Sequence, residues 1–183
     1  RAYESDGLTA YRALPLIVVL PQTVDQVANV LKYCKEHGVK VVPRGAGTSL
    51  SGGALPLEDG ILLGMGKFNK VLEVDYDNRC ARVQPGVTNL AITKAVEEDG
   101  FYYAPDPSSQ IACTIGGNVA ENSGGVHSLK YGLTTNNVLG VEMVTIDGEI
   151  LRIGGKHLDA EGYDLLGLMI GSEGLLGVVT EVT

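Results

Sequence analysis

Residues 43–53 read Pro-Arg-Gly-Ala-Gly-Thr-Ser-Leu-Ser-Gly-Gly, a run of glycines and small hydroxyl residues with one arginine and no acid. A pyrophosphate group needs several converging backbone N–H donors, and bulky side chains would keep the backbone away from it. Gly45 and Gly47 remove that bulk, and Arg44 supplies a positive charge. The apolar run Val39–Val42 predicts a strand directly before this first tract, and ligand sites of α/β proteins lie at strand ends. The first tract therefore predicts a phosphate-binding loop.

Two common phosphate-binding motifs do not match the first tract. A Walker loop requires a lysine after its second glycine, and no lysine occurs between Lys40 and Lys67. The dinucleotide pattern G-x-G-x-x-G begins at Gly45 but has Leu50 at the position of the third glycine. A nicotinamide-binding Rossmann unit is thus disfavoured, and the first tract alone is equally compatible with a surface turn.

Two further glycine-rich tracts favour a binding function. The second tract, residues 105–125, reads Pro-Asp-Pro-Ser-Ser-Gln-Ile-Ala-Cys-Thr-Ile-Gly-Gly-Asn-Val-Ala-Glu-Asn-Ser-Gly-Gly. The third tract, residues 171–177, reads Gly-Ser-Glu-Gly-Leu-Leu-Gly and leads into an apolar strand pattern. Long irregular stretches inside a compact domain are usually functional or disordered, and the interspersed apolar residues argue against disorder. The three tracts predict a long ligand contacted at several points.

The three tracts, together with Lys130-Tyr131-Gly132, resemble the FAD-binding domain, PCMH type, of the vanillyl-alcohol-oxidase-type flavoproteins. Within that group the chain most resembles the family that comprises the flavin-binding D component of glycolate oxidase and the D-lactate and D-2-hydroxyglutarate dehydrogenases. The resemblance runs from about Pro15 to Thr183, and the second tract is its most specific part. It implies an α+β fold of two α/β subdomains, at about 1–65 and 66–183, with FAD between them.

The resemblance also implies which residues bind the cofactor. The pyrophosphate would lie on the first tract, at Pro43, Arg44, Gly45, Ala46, Gly47, Thr48 and Ser49, with Gly52 and Gly53 beside it. The flavin ring and ribityl chain would contact Pro105, Ser109, Thr114, Gly116 and Gly117, with Ser123 and Gly124 as the neighbouring wall. The adenosine end would contact Gly174, Gly177, Val178 and Val179.

One departure from the family pattern bears on how FAD is held. Members that attach FAD covalently have a histidine where this chain has Thr48, and threonine cannot form that link. Some members use a cysteine ahead of the second tract, but Cys113 lies only three residues before Gly116, closer than that pattern requires. We therefore expect non-covalent FAD.

The resemblance implies a flavin-dependent oxidoreductase for D-2-hydroxy acids, glycolate or D-lactate first. An enzyme of the same fold for another alcohol or a sugar, such as an aldonolactone, and a non-catalytic FAD-binding module remain alternatives. In the family a C-terminal domain supplies the substrate pocket; we expect that domain to be absent from this chain, the catalytic residues to lie in it, and the 183 residues alone to be inactive. Other oxidase subunits, carrying an iron–sulfur centre or a second flavin, are possible partners.

Composition and charge disfavour several other classes of protein. The formal net charge of −8 disfavours binding to nucleic acid, and no apolar run approaches a membrane span. The cysteines at 34, 80 and 113 are odd in number and widely spaced, which favours free thiols and a cytoplasmic location. The histidines at 37, 127 and 157 lack ligand spacing, so we predict no metal site; His127, without an acidic neighbour in sequence, is interpreted as an ordinary loop histidine.

The remaining pattern predicts alternating helices and strands. Thr23 with Gln26 forms a capping box, and the helix that follows ends at Gly38. Thr88 is predicted to cap a second helix that runs toward Gly100, and Asp147-Gly148 predicts a hairpin. Strands are predicted at 16–20, 39–42, 61–63, 71–74, 79–84, 138–146, 149–153 and 178–183, and a short helix at 164–170.

Overall fold

The structure, a computed structural model, describes residues 2–157 and 162–183. It contains one three-stranded parallel sheet and one five-stranded antiparallel sheet, with short helices around them. The predicted α+β class is confirmed.

The parallel sheet is formed by the N-terminal third of the chain. Its strands are β1 (Ile17–Val19), β2 (Lys40–Arg44) and β3 (Gly60–Gly64), in the order β1-β3-β2. Because β2 lies at the edge, it accommodates Pro43, which has no N–H to donate to a second neighbour. The first tract begins at the end of β2 and forms part of the crossover to β3, so the predicted position at a strand end is confirmed.

Helix α1 (Val24–His37) connects β1 to β2 and begins and ends as its sequence predicts. The Thr23 hydroxyl accepts a hydrogen bond from the backbone N–H of Gln26 at 3.3 Å. The Gln26 side chain accepts from the N–H of Gln22 rather than Thr23, so only half of the predicted capping box forms. Gly38 ends the helix in the left-handed conformation, with φ of 65°.

The antiparallel sheet is formed by the rest of the chain. Its order is β4-β5-β8-β6-β7. The strands are β4 (Val71–Asp75), β5 (Cys80–Val83), β6 (Gly140–Val144), β7 (Ile150–Gly154) and β8 (Val178–Val182). Strands β6 and β7 pair in register around the predicted Asp147-Gly148 turn, where Gly148 has φ of 77°. Each predicted strand is present, with ends that differ by up to two residues.

The helices of the second half depart further from the sequence prediction. They are α2 (Asn89–Lys94), α3 (Ile115–Glu121), α4 (Ser128–Tyr131) and α5 (Leu165–Met169). Thr88 caps α2 as predicted, but the helix ends at Lys94 and a separate 3-10 turn follows at Glu97–Asp99. The sequence pattern predicted no helix within the second tract, yet α3 lies inside it.

Two apolar clusters form the core. One lies against the antiparallel sheet and includes Ile115 and Val119 of α3. The other combines α1 and β3 with β6 and β8, through Val27, Leu31, Leu63, Met65, Phe68, Val144 and Val178. The two sheets therefore share this second cluster, although the predicted subdomain boundary near residue 65 falls between them. That division remains a prediction.

Candidate cofactor-binding cleft

A cleft of about 400 Å³ lies where the three glycine-rich tracts meet. The first tract forms one wall, α3 and the residues around it form the second, and the third tract with the start of β8 forms the third. Ligand sites commonly have volumes of about 300–1,000 Å³. The cleft therefore has the size and the lining of a site for an extended ligand.

The structure brings most of the predicted site residues into this cleft. Those that line it are Pro43, Arg44, Gly45, Ala46, Gly47, Thr48, Ser49, Gly53, Ser109, Thr114, Gly116, Gly117, Ser123, Gly174, Gly177, Val178 and Val179. Their contact with a cofactor remains a prediction, but residues from three separate parts of the sequence converge in one cleft.

Three predicted residues do not line the cleft, and each has another structural role. The N–H of Gly52 donates to the Asp6 carboxylate at 3.0 Å. The carbonyl of Pro105 accepts from the Asn89 amide at 2.9 Å. A side chain at Gly124 would overlap Leu133 and Ser128, so this glycine permits close packing behind the wall.

The glycines of the cleft allow its walls to approach one another closely. A Cβ at Gly45 would overlap the Thr114 hydroxyl, and one at Gly116 would lie 2.6 Å from the Cβ of Pro85. A Cβ at Gly177 would lie 2.7 Å from the carbonyl oxygen of Val144. A side chain at any of these positions would clash with its neighbours, and glycine permits the close backbone approach that a phosphate-containing ligand requires.

The Thr114 hydroxyl is the clearest sign of a missing partner. Its Oγ1 is buried and has no hydrogen-bond partner in the described part of the chain. Thr114 occupies the N-cap position of α3, yet its side chain makes no capping bond and instead lies against Gly45 and Gly117. A buried polar atom without a partner costs about 1–3 kcal/mol. A hydroxyl between two glycines of the cleft is thus suited to a ligand that carries hydrogen-bonding groups.

The Arg44 side chain packs against the backbone of the first tract. It is buried, and Nη1 donates to the carbonyl of Ala54 at 2.9 Å. The guanidinium also fills the space in which Gly47 would carry a Cβ. Burial lowers the pKa of Arg44, and the nearby carboxylate of Asp6 opposes that effect. The sequence interpretation of Arg44 as the charge of an anion site therefore missed its carbonyl contacts.

A buried amide pair, which the sequence analysis did not identify, holds the second tract. The Asn89 amide donates to Asn118 Oδ1 at 2.9 Å as well as to Pro105, and the Asn118 amide approaches Cys113 Sγ at 3.3 Å. Both asparagines are almost fully buried. Asn118 lies within the second tract, whereas Asn89 gives no local signal because its partners are 16 and 29 residues away.

The second and third tracts each contribute an acid to the cleft. Glu173 and Glu121 line it together, and both carboxylates lie near Gly53, about 4 Å from the position of a Cβ there. Among the described lining residues, Arg44 is the single cation. Backbone and hydroxyl donors must therefore supply most of the attraction for an anionic ligand.

His127 has an acidic partner that the sequence analysis did not anticipate. Its Nδ1 lies 2.6 Å from Asp106 Oδ2, and its backbone N–H donates to Oδ1 of the same carboxylate at 3.2 Å. Burial raises the pKa of Asp106, but these two hydrogen bonds outweigh that effect and lower it overall. The His127 side chain is exposed, and neither residue of the pair is among the described residues that line the cleft.

Other candidate chemistries find no support within residues 2–157 and 162–183. No group of three or more potential metal ligands occurs there, and Cys34, Cys80 and Cys113 are free thiols. None of the helices described is long and apolar enough to cross a membrane.

A glycine-walled cleft with an unpaired buried hydroxyl, set between a parallel and an antiparallel sheet, defines a domain that binds an extended, phosphate-containing cofactor. Residues 15–154 match the family model described as FAD binding domain. The chain belongs to this family, and FAD is the cofactor of the family.

Three similar proteins indicate which members of the family the chain resembles. The chain is 62% identical over 181 residues to the glycolate oxidase subunit GlcD of Escherichia coli (strain K12), a match that covers 99% of this chain and 36% of that protein. It is 48% identical to GlcD of Bacillus subtilis (strain 168), with 98% and 38% covered. It is 44% identical to a D-lactate dehydrogenase of Archaeoglobus fulgidus, with 98% and 41% covered. The chain thus spans well under half the length of these relatives.

Solved structures agree on the fold. The chain superposes on alkyldihydroxyacetonephosphate synthase with a TM-score of 0.80 and 28% sequence identity. That match covers 90% of this chain and 30% of the synthase. The chain therefore shares its α+β architecture with a synthase as well as with the relatives named above.

Proposed function

We propose that this chain is the FAD-binding part of a flavin-dependent oxidoreductase for D-2-hydroxy acids, with glycolate as its first candidate substrate and D-lactate as the second. The proposal that the chain binds FAD rests on the unpaired Thr114 hydroxyl in a glycine-walled cleft. The names of the relatives, glycolate oxidase subunit GlcD and D-lactate dehydrogenase, support the choice of substrate.

The residues of the cleft would bind and orient the cofactor. When FAD is bound, its flavin ring supplies the acceptor for the hydride that leaves C2 of the hydroxy acid. Backbone N–H groups of the first tract would hold the pyrophosphate, and Thr114 Oγ1 would gain the hydrogen bond that it lacks. Arg44 and the Asn89–Asn118 pair would fix the backbone that presents these donors.

We further propose that FAD is held without a covalent bond. Threonine at position 48 cannot form a histidyl link, and Cys113 is only 3% exposed and contacts Asn118. Acid precipitation of the FAD-loaded protein should release all of the flavin into the supernatant. A yellow pellet would show a covalent link and would contradict this assignment.

The substrate is tested by anaerobic mixing. The FAD-loaded protein, in the complete form in which it occurs, is mixed with glycolate, D-lactate or L-lactate while the visible flavin absorption is followed. We expect rapid bleaching with glycolate, slower bleaching with D-lactate and none with L-lactate. Bleaching by an unrelated alcohol or sugar and by neither acid would support the alternative enzyme of the same fold instead.

The proposal also covers the partners of the protein and its location in the cell. The relatives are named as subunits of glycolate oxidase, so association with further oxidase subunits, carrying an iron–sulfur centre or a second flavin, is part of it. Three free cysteines support a cytoplasmic location.

A further inference from the structure

The segment that precedes β1 lies directly against the first tract. Asp6 is buried, and its Oδ2 accepts a hydrogen bond from the backbone N–H of Gly52 at 3.0 Å. The other oxygen, Oδ1, accepts from the N–H of Leu8 at 3.0 Å. The N–H of Gly7 donates to the carbonyl of Ser49, also at 3.0 Å. One carboxylate thus joins a turn of the N-terminal segment to a loop 46 residues away.

Arg44 makes a second connection between the same two segments. Its Nη2 donates to the carbonyl of Ala2 at 3.4 Å, and its guanidinium lies over the ring of Tyr3, 5.8 Å from the centroid. Such a cation–π contact is attractive within about 6 Å. The cation that fills the space beneath Gly47 is therefore held in part by the N-terminal segment.

The first tract has few hydrogen bonds of its own. The N–H of Ser51 donates to the Ser49 hydroxyl at 3.3 Å, and the N–H of Leu55 donates to the carbonyl of Gly52 at 3.0 Å. Gly47 and Gly52 both have positive φ values, at 71° and 84°. A loop of this kind loses conformational entropy when it is fixed around a ligand, and outside contacts that fix it beforehand improve affinity.

The contact between the two segments leaves no room for a side chain. A Cβ at Gly7 would lie 2.6 Å from the carbonyl oxygen of Thr48 and 3.0 Å from that of Ser49. Real Cβ atoms do not come so close to backbone oxygen, so one of the two segments would have to move. The position of the N-terminal segment and the shape of the cleft are therefore coupled.

We propose that residues 2–9 form a strap that holds the first tract in its binding conformation, with Asp6 as the positioning residue. The strap lies outside residues 15–154, the part of the chain that matches the family model. This inference rests on the proposed binding of FAD at the first tract. Asp6 contacts the loop and is not among the described residues that line the cleft, so its effect on affinity is indirect.

The first experiment compares FAD with riboflavin, which lacks the pyrophosphate. We expect Asp6→Ala to weaken FAD binding about tenfold, because the N–H of Gly52 loses its buried acceptor and the loop is released. Riboflavin binding should be unchanged. Equal weakening of both ligands, or no change in the dissociation constant for FAD, would overturn the strap. Asp6→Asn, which keeps the shape but only one acceptor oxygen, serves if the alanine variant does not fold.

The second experiment moves the loop without touching Asp6. Gly7→Ala should weaken FAD binding because the new Cβ displaces the backbone at Thr48 and Ser49. Gly155→Ala is the matched control, since no atom lies within 4 Å of its Cβ position. Equal affinity of the two variants for FAD would contradict the coupling.

Hydrogen exchange separates failure of the strap from failure of the proposed function. In the protein without ligand, Asp6→Ala should speed exchange of the Gly52 amide and of residues 49–53 while leaving β6 protected. If the unaltered protein binds no FAD, the proposed function fails, and this exchange result still decides whether the strap exists. Unchanged exchange at Gly52 would overturn the strap even if FAD binds.

Discussion

At the scale of single residues, Gly47 combines two constraints that no other residue type satisfies. Its φ of 71° lies in the left-handed region, and the Arg44 guanidinium occupies the space of a side chain. We expect Gly47→Ala to lower the affinity for FAD by at least tenfold and Gly47→Val to abolish retention, since strain at such a φ costs about 1–3 kcal/mol before the clash is added. Affinity is measured by flavin fluorescence titration.

Gly66→Ala is the control for that measurement. No atom lies within 4 Å of its Cβ position, and its φ is not in the left-handed region. It should bind FAD as the unaltered protein does. If Gly47→Ala bound FAD equally well, the first tract would not be the anion-binding loop.

Thr114 gives a prediction in which stability and binding change in opposite directions. Thr114→Val removes a buried hydroxyl that has no partner in the described chain, so the protein without ligand should gain about 1 kcal/mol of unfolding free energy. The same change should weaken FAD binding, because the hydrogen bond available to the ligand is lost. Thermal unfolding with and without FAD measures both effects.

Thr114→Ser is the matched control, because it keeps the hydroxyl and removes only the methyl group. It should retain most of the affinity for FAD. A valine variant that is less stable without ligand, or that binds FAD as tightly, would show that the hydroxyl does not serve a ligand.

At the scale of elements, Lys156 connects strands from opposite sides of the antiparallel sheet. It follows β7, at one edge, and its Nζ lies 2.6 Å from both Glu73 Oε1 and Asp75 Oδ2 in β4, at the other edge. Hydrogen bonds from Lys156, with others from Asn78 to Asp75 and from Arg82 to Glu73, lower the pKa of both carboxyl groups. These ion pairs therefore help to hold the two edges of the sheet together at neutral pH.

The pH dependence of this link follows from those directions. A carboxyl group whose folded pKa is lowered stabilises the fold above its ordinary pKa, and that contribution is lost as the pH falls through the folded value. We expect Lys156→Met to lower the unfolding temperature at pH 7, and the difference from the unaltered protein to shrink from about pH 4 downward. Lys94→Met, which removes a local exposed pair with Glu97, is the control and should change stability less. A difference that is constant from about pH 7 to about pH 3 would contradict this account.

The sequence predicted elements with strong local patterns and missed those that depend on distant contacts. Apolar patterns identified all eight strands of the part of the chain that the structure describes, and Thr23 and Gly38 placed the ends of α1. Helix α3 was missed because two glycines at its start resemble a loop; Ile115 and Val119, buried in the core, stabilise it instead. The interactions of Asp6 with Gly52, and of Lys156 with β4, join residues far apart in sequence and leave no local signal.

At the scale of the whole molecule, the cleft belongs to neither sheet alone. The first tract follows β2 of the parallel sheet, and the third tract leads into β8 of the antiparallel sheet. The shared cluster around Leu63, Phe68 and Val144 fixes the two sheets against each other. Resemblance to a family predicted most of the residues that meet in the cleft, whereas the packing that makes them meet is visible only in the fold.

The charge of the cleft leads to the last prediction, that the 183-residue chain alone binds FAD but does not oxidise glycolate or D-lactate. Glu121 and Glu173 line the cleft, and Arg44, the single cation among the described lining residues, is buried against carbonyl groups. A carboxylate substrate therefore finds no free positive charge there to orient it. Such orientation accounts for about 7–11 kcal/mol of barrier reduction, and without it hydride transfer is slow.

The measurement is anaerobic mixing of the FAD-loaded chain with each acid while the flavin absorption is followed, with dithionite as the control that the bound flavin can be reduced. We expect dithionite to bleach the flavin and the acids to leave it unchanged. The relatives are more than twice as long as this chain, so the groups that bind the substrate carboxylate and take its hydroxyl proton are expected in their additional residues. Rapid bleaching by glycolate but not by L-lactate would show instead that the 183 residues already contain a complete active site, and the His127–Asp106 pair, which lies outside the described lining of the cleft, would be the first to substitute.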